Sequence, residues 1–180
     1  MFKTTIIISS FCLLTQTNLF GQKTNPKTNK IDMYAYHLDT SRAIYDSITF
    51  LFDSVQVSAQ MQQNIVVATC LFLNSKSVLT IRYYSKDKEL VSVKIREQSP
   101  IMDDMYANSF FYYDKGKLFD ESYRWTVRAC MAIPTDKSVY ELYGYNPNLN
   151  ADFLKIFVLQ LYDKIKLQAT FSFASAGGDE

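Results

Sequence analysis

The chain reads as an α+β protein: a mainly antiparallel β-meander of about five to seven strands, with one N-terminal and one C-terminal helix packed on one face. Three observations predict this. From Phe119 to Ile133 the odd positions are Phe, Glu, Tyr, Trp, Val, Ala, Met and Ile, while the even ones include Asp120, Ser122, Arg124, Thr126 and Arg128. That period of two belongs to a strand with one buried and one wet face. Two hairpin-like stretches, Val78–Glu97 and the one centred on Asp114-Lys115-Gly116-Lys117, repeat the alternation around turn residues. Two further stretches space their apolar residues by three and four, as amphipathic helices do.

Taken in order, the first residues read as an address. Met1-Phe2-Lys3 is a short basic start, Ile6–Leu14 a short apolar run, and Leu19-Phe20-Gly21 a cleavage end. The run is too short to span the roughly 30 Å of a bilayer's hydrocarbon, so residues 1–21 are expected to be a signal peptide cut before Gln22. The alternative of a lipoprotein signal at Cys12 is disfavoured by the bulky Phe11 before it. The product is thus expected to be exported, periplasmic or secreted, with no transmembrane segment in the mature chain. Residues 22–30 are polar, contain Pro26 and have no period, which suggests a flexible leader. A single α+β domain over 31–173 and a tail over 174–180 complete the organisation.

Within that domain Ile31–Leu38 suggests a short strand or a loop. Asp39-Thr40-Ser41 offers caps for a helix over about Ser41–Val55, whose stripe would be Ile44, Ile48, Leu51, Phe52 and Val55. Asn64–Leu73 is a continuous apolar run of strand length, expected to be covered on both faces. Gln98–Tyr106, with Pro100, reads as a loop, and Ser138–Tyr145 as a strand. Asn150 caps the last helix, striped by Phe153, Ile156, Phe157, Leu161 and Ile165, and Leu167–Phe173 alternates like a short final strand.

The two hairpins resemble each other: Arg82-Tyr83-Tyr84-Ser85-Lys86-Asp87-Lys88-Glu89-Leu90 echoes Phe111-Tyr112-Tyr113-Asp114-Lys115-Gly116-Lys117-Leu118. With the leader, this aromatic-Tyr-Asp-x-Gly-Lys-Leu pattern resembles small, uncharacterised exported proteins of Gram-negative bacteria. The likeness covers about a third of the chain. It implies export and carries over no catalytic residue.

Loss of Lys3 with the signal would leave eighteen acidic side chains balanced by as many basic ones, a neutrality that points away from nucleic acid. Cys70 and Cys130 would then be the remaining cysteines. In an oxidising compartment they make a candidate disulfide; two separate buried thiols are the alternative. Catalysis has few residues to use. His37 is the sole histidine, no Gly-x-Ser-x-Gly elbow or phosphate loop exists, and zinc-ligand spacing is missing, so no cofactor or metal is expected. Asp103-Asp104 and Asp120-Glu121 are adjacent pairs, and neighbours on a strand point to opposite faces. Glu121 falls on the inward face, which requires a wet edge or a cation.

Laying the strands side by side collects Arg82, Tyr84, Lys94, Arg96, Arg124 and Arg128 on the face opposite the apolar one, with Asp120 as its carboxylate. Such a face suits a protein partner or a small polar or anionic ligand. The expectation is an exported, non-catalytic binding protein. The alternative is a small periplasmic hydrolase or isomerase using carboxylates or tyrosines in a pocket between helix and sheet.

Overall fold

A computed structural model describes residues 25–41, 46–102, 104–126 and 143–176. Helix α1 (Pro26–Thr40) precedes seven strands: β1 (Asp46–Phe52), β2 (Val55–Gln62), β3 (Ile65–Phe72), β4 (Val78–Lys86), β5 (Glu89–Gln98), β6 (Tyr106–Asp114) and β7 (Lys117–Thr126). Helix α2 (Ala151–Ala176) follows. The strands form one antiparallel sheet in sequence order, so the α+β meander with a helix at each end is as the sequence predicts.

From Pro26 onward helix α1 stands where the leader was expected, and it replaces the expected strand or loop at Ile31–Leu38. Asn25 caps it, its side chain accepting the Lys27 amide hydrogen at 3.0 Å, and Pro26 supplies a preset φ at the first position. Its sheet-facing stripe is Thr28, Asp32, Ala35 and Asp39, spaced by four, three and four. The helical period is there, but polar residues carry it, so an apolar count misses it.

From Asp46 onward the helix predicted at Ser41–Val55 is instead the β1–β2 hairpin. Asp53 takes a positive φ of 45° at the turn, and Ile48, Phe50 and Phe52 then share one face with Val55, Val57 and Ala59. Residues spaced by three or four in a helical reading are here split between two strands. Asn64–Leu73 does become a strand packed on both sides: Ala68 and Cys70 join the main core, Ile65 and Val67 the α1 side. Leu167–Phe173 continues α2 rather than forming a strand. The signal, Cys130, Arg128 and most of the strand predicted at Ser138–Tyr145 lie outside the described residues.

Both remaining hairpins close on two-residue turns whose central residues have positive φ: Asp87 (53°) and Lys88 (68°), then Lys115 (50°) and Gly116 (75°). That backbone matches the twist of the flanking strands. Each hairpin also shifts register at the same place, between Tyr84 and Ser85 and between Tyr112 and Tyr113. The hairpins are therefore equivalent residue for residue, Tyr84 matching Tyr112, although the sequences align best one position away. The second shift moves Phe119 to the α1 side, where its ring meets Lys27 and Tyr112, and not to the inward face that strict alternation predicts.

The two helices do not share a face. α2 covers Val57, Ala59, Cys70, Leu79, Ile81, Tyr83, Val93, Ile95 and Phe111 with its own Leu154, Val158, Leu161 and Ile165. Val158, Leu161 and Ile165 are fully buried, each burial being worth about 1.5–3 kcal/mol. α1 lies on the other side, against Tyr84 and Tyr112. A meander has two faces, and the polar stripe of α1 finds its partners on the polar one. Among the described residues, no helix is long and apolar enough to cross a membrane.

Candidate functional site

The α1 side of the sheet is a grid whose positions follow from strand pairing. One row runs Tyr84, Ser92, Tyr112, Asp120 across β4 to β7. The next runs Arg82, Lys94, Phe110, Ser122, and the third Thr80, Arg96, Asn108, Arg124. α1 lies along the first row. Thr28 donates to Asp120 at 2.8 Å, Tyr112 to Asp32 at 3.1 Å, and Tyr84 to both oxygens of Asp39 at 2.9 Å. The expected open basic face is thus half covered.

The second and third rows stay open beside the last turn of α1. They form a cavity of about 360 Å³ lined by Asp39, Thr80, Arg82, Tyr84, Lys94, Arg96, Asn108 and Phe110. Four of the sequence-predicted residues, Arg82, Tyr84, Lys94 and Arg96, meet in it. Arg124 sits on the next strand, its guanidinium 5.3 Å from the centre of the Phe110 ring. Asp39, Asn108 and Phe110 were not anticipated. Asp39 reads as a cap residue in the sequence, whereas the alternation Asn108, Phe110, Tyr112 is the signal that could have found the other two.

The electrostatics are unbalanced. Arg82 and Lys94 are directly opposite on neighbouring strands, an arrangement that destabilises a sheet when nothing neutralises it. Asp39 answers Arg82, at 2.8 Å between Nη1 and Oδ1. Partial burial works against the Arg82 charge, but the Asp39 carboxylate outweighs it and the pKa is raised. Burial first, then the Asp39 charge, also raises the Tyr84 pKa, so its hydroxyl stays protonated and donates. Lys94 and Arg96 lie instead against aromatic faces, Nζ 5.0 Å from the Tyr84 ring centre and Cζ 4.5 Å from that of Tyr106. A ring orients a cation and attracts it modestly, yet leaves its charge unneutralised.

The residues a catalytic reading would use are kept apart. His37 is exposed on α1, while Cys70 is buried on the α2 side, its thiol pushed up to about 12 by burial. Glu121 meets the expected cation at the sheet edge, Lys155 of α2, at 2.9 Å. A carboxylate that the sequence did not single out is Glu97, on the α2 side and only 6% exposed. It accepts the Asn146 amide hydrogen at 2.9 Å, and burial pushes its pKa up to about 7 against the lowering effect of that bond. It lines a separate cavity of about 280 Å³ with Ser75, Ser77 and Gly144. No family model, curated protein or solved structure matches the chain.

Proposed function

We propose that the protein is an exported, non-catalytic binding protein that holds a small anionic ligand in the groove between the end of α1 and strands β4–β6. The observation that carries this reading is the cross-strand pair Arg82 and Lys94, with Arg96 beside them and Asp39 as the sole carboxylate lining the cavity among the described residues. Three cations against one carboxylate leave a site that an anion would neutralise, and packing on rings keeps two of them oriented before it arrives. Thr80 adds a neutral hydroxyl at the far end of the groove. A carboxylate, phosphate or acidic sugar has the matching chemistry. A hydrolase acting through two carboxylates would need a second one across the groove from Asp39, and the lining has none.

Titration with inorganic phosphate and with glucuronate, followed by amide chemical shifts, tests the assignment. The expected result is saturable shifts at Lys94, Arg96 and Asn108 that disappear in a Lys94→Glu/Arg96→Glu variant. Shifts that are absent, or unchanged by the reversal, would sink it. The residues 1–21 support export, which fractionation of expressing cells would check.

A further inference from the structure

On the α2 side, at the far end of the sheet from the tyrosine–aspartate row, a second cavity of about 430 Å³ opens between three turns and the start of α2. Its floor is apolar: Phe52, Val55, Phe72, Leu149, Phe153 and Phe157. Four phenyl rings interlock there. Phe153 stacks on Phe157 at 5.3 Å, and Phe72 and Phe52 lie 5.4 and 6.0 Å from Phe157.

The walls are preformed. Leu73 donates its amide hydrogen to the Ser54 carbonyl, tying the β1–β2 turn to the β3–β4 turn. Asn148 donates to the Asn146 side chain, and the Asn150 cap accepts from Phe153, which fixes the first aromatic of the helix. Ile156 is 61% exposed and Phe153 37%, so apolar surface forms the lip as well as the floor.

The mouth carries Asn74, Asn148 and Gln160, neutral hydrogen-bonding side chains, and among the described residues Asp53 is the only ionisable one of the lining. Among the described residues the lining holds no cation to receive a carboxylate or phosphate, and Asp53 would repel one. The charge selection is therefore the opposite of that in the basic groove, on the other face of the sheet. The volume lies within the few hundred Å³ typical of small-molecule sites. We propose that this cavity binds an uncharged amphiphile: an aromatic or short alkyl body on the phenylalanine floor, with a hydroxyl or amide end at the Asn74–Gln160 mouth.

Titration of the protein with the neutral fluorescent probe N-phenyl-1-naphthylamine tests this. One saturable site per chain is expected, with blue-shifted emission and displacement by a neutral alcohol such as octanol but not by octanoate. Ile156→Asp, at an exposed position the fold does not need, should weaken binding by about tenfold, as loss of roughly one apolar contact and a charge set at the apolar lip demand. Ser75→Trp, at the exposed rim, should block the cavity sterically and have the same effect. Lys94→Glu/Arg96→Glu should leave probe affinity unchanged, which separates this site from the groove. Absence of saturable binding, wild-type affinity in both rim variants, or displacement by octanoate as good as by octanol would overturn the proposal.

Discussion

Tyr84 and Tyr112 stand in one row of the sheet, two strands apart, and each donates its phenolic hydroxyl to an aspartate of α1. Their acceptors, Asp39 and Asp32, are seven residues apart. Two helical turns rise about 10.5 Å, and two strand spacings measure about 9.6 Å. The match lets α1 cross the strands and make equivalent bonds at both ends, with fully buried Ala35 between them. The equivalence of the hairpins, bulge included, places the two hydroxyls alike.

The first prediction concerns this pair. Tyr112→Phe leaves the Asp32 carboxylate without its donor and should cost about 1–2 kcal/mol in urea unfolding. Asp32→Ala should cost a similar amount, and the double variant less than the two combined, since both break one interaction. Additive losses would mean that the bond contributes nothing.

Alkaline pH should act on the same contacts. Burial and the facing aspartates raise the pKa of both Tyr84 and Tyr112 in the folded chain. The folded state then holds these protons more tightly than the unfolded one. Stability should be intact below the ordinary tyrosine pKa of about 10 and fall as pH rises above it. A Tyr84→Phe/Tyr112→Phe variant, less stable at neutral pH, should show a shallower alkaline decline in thermal unfolding.

Glu97 imposes a burden of the same sign nearer neutrality. Its folded pKa of about 7 exceeds the ordinary value of 4.5, so between those pH values the folded state binds the extra proton. Its contribution is favourable below pH 4.5 and is lost as pH rises through 7, by about 3 kcal/mol in all. Glu97→Gln keeps an acceptor for the Asn146 amide and removes the charge. It should stabilise the protein at pH 8 by about that amount and change little at pH 4.5.

The groove should show a conflict between stability and binding. Replacing Lys94 by Thr removes a like charge facing Arg82 and supplies a strand-favouring side chain. Thermal unfolding should show a gain of up to about 1 kcal/mol, while phosphate or glucuronate binding falls. Loss of both stability and binding would assign Lys94 a packing role instead.

Two glycines separate backbone strain from crowding. Gly116 and Gly144 both have positive φ, at 75° and 69°. A Cβ at Gly116 meets open space, whereas one at Gly144 lies 2.9 Å from Ile101 Cδ1 and 3.0 Å from Pro100 Cγ. Gly116→Ala should cost about 1 kcal/mol from the backbone alone, and Gly144→Ala measurably more, because the Pro100–Ile101 loop must shift.

Much of this architecture is readable from residue order. The alternations in β4, β5 and β7 mark strands whatever packs on them, since period two needs only one buried face. The positions of Arg82, Lys94, Arg96 and Arg124 on a common face follow from that parity alone. The Asn150 cap and the apolar stripe of α2 are readable too, from cap chemistry and helical spacing. Helix α1 was hidden because its sheet-facing residues are Thr28, Asp32 and Asp39, and only Asn25-Pro26 announced it. The β1–β2 hairpin was hidden for the converse reason: Ile48, Leu51, Phe52 and Val55 fit a helical spacing, and the turn at Asp53 has no glycine to mark it.

The sequence by itself thus determined strands β3 to β7, their meander order and the sign of the charge on one face, because these rest on local periodicity and short connections. Only the tertiary structure decided that the helices take opposite faces, that Asp39 stands among the cations, and that four phenylalanines from two turns and a helix enclose a cavity. Those outcomes depend on distances between residues remote in the chain, such as the near-equality of two helical turns and two strand spacings. No local pattern encodes such distances.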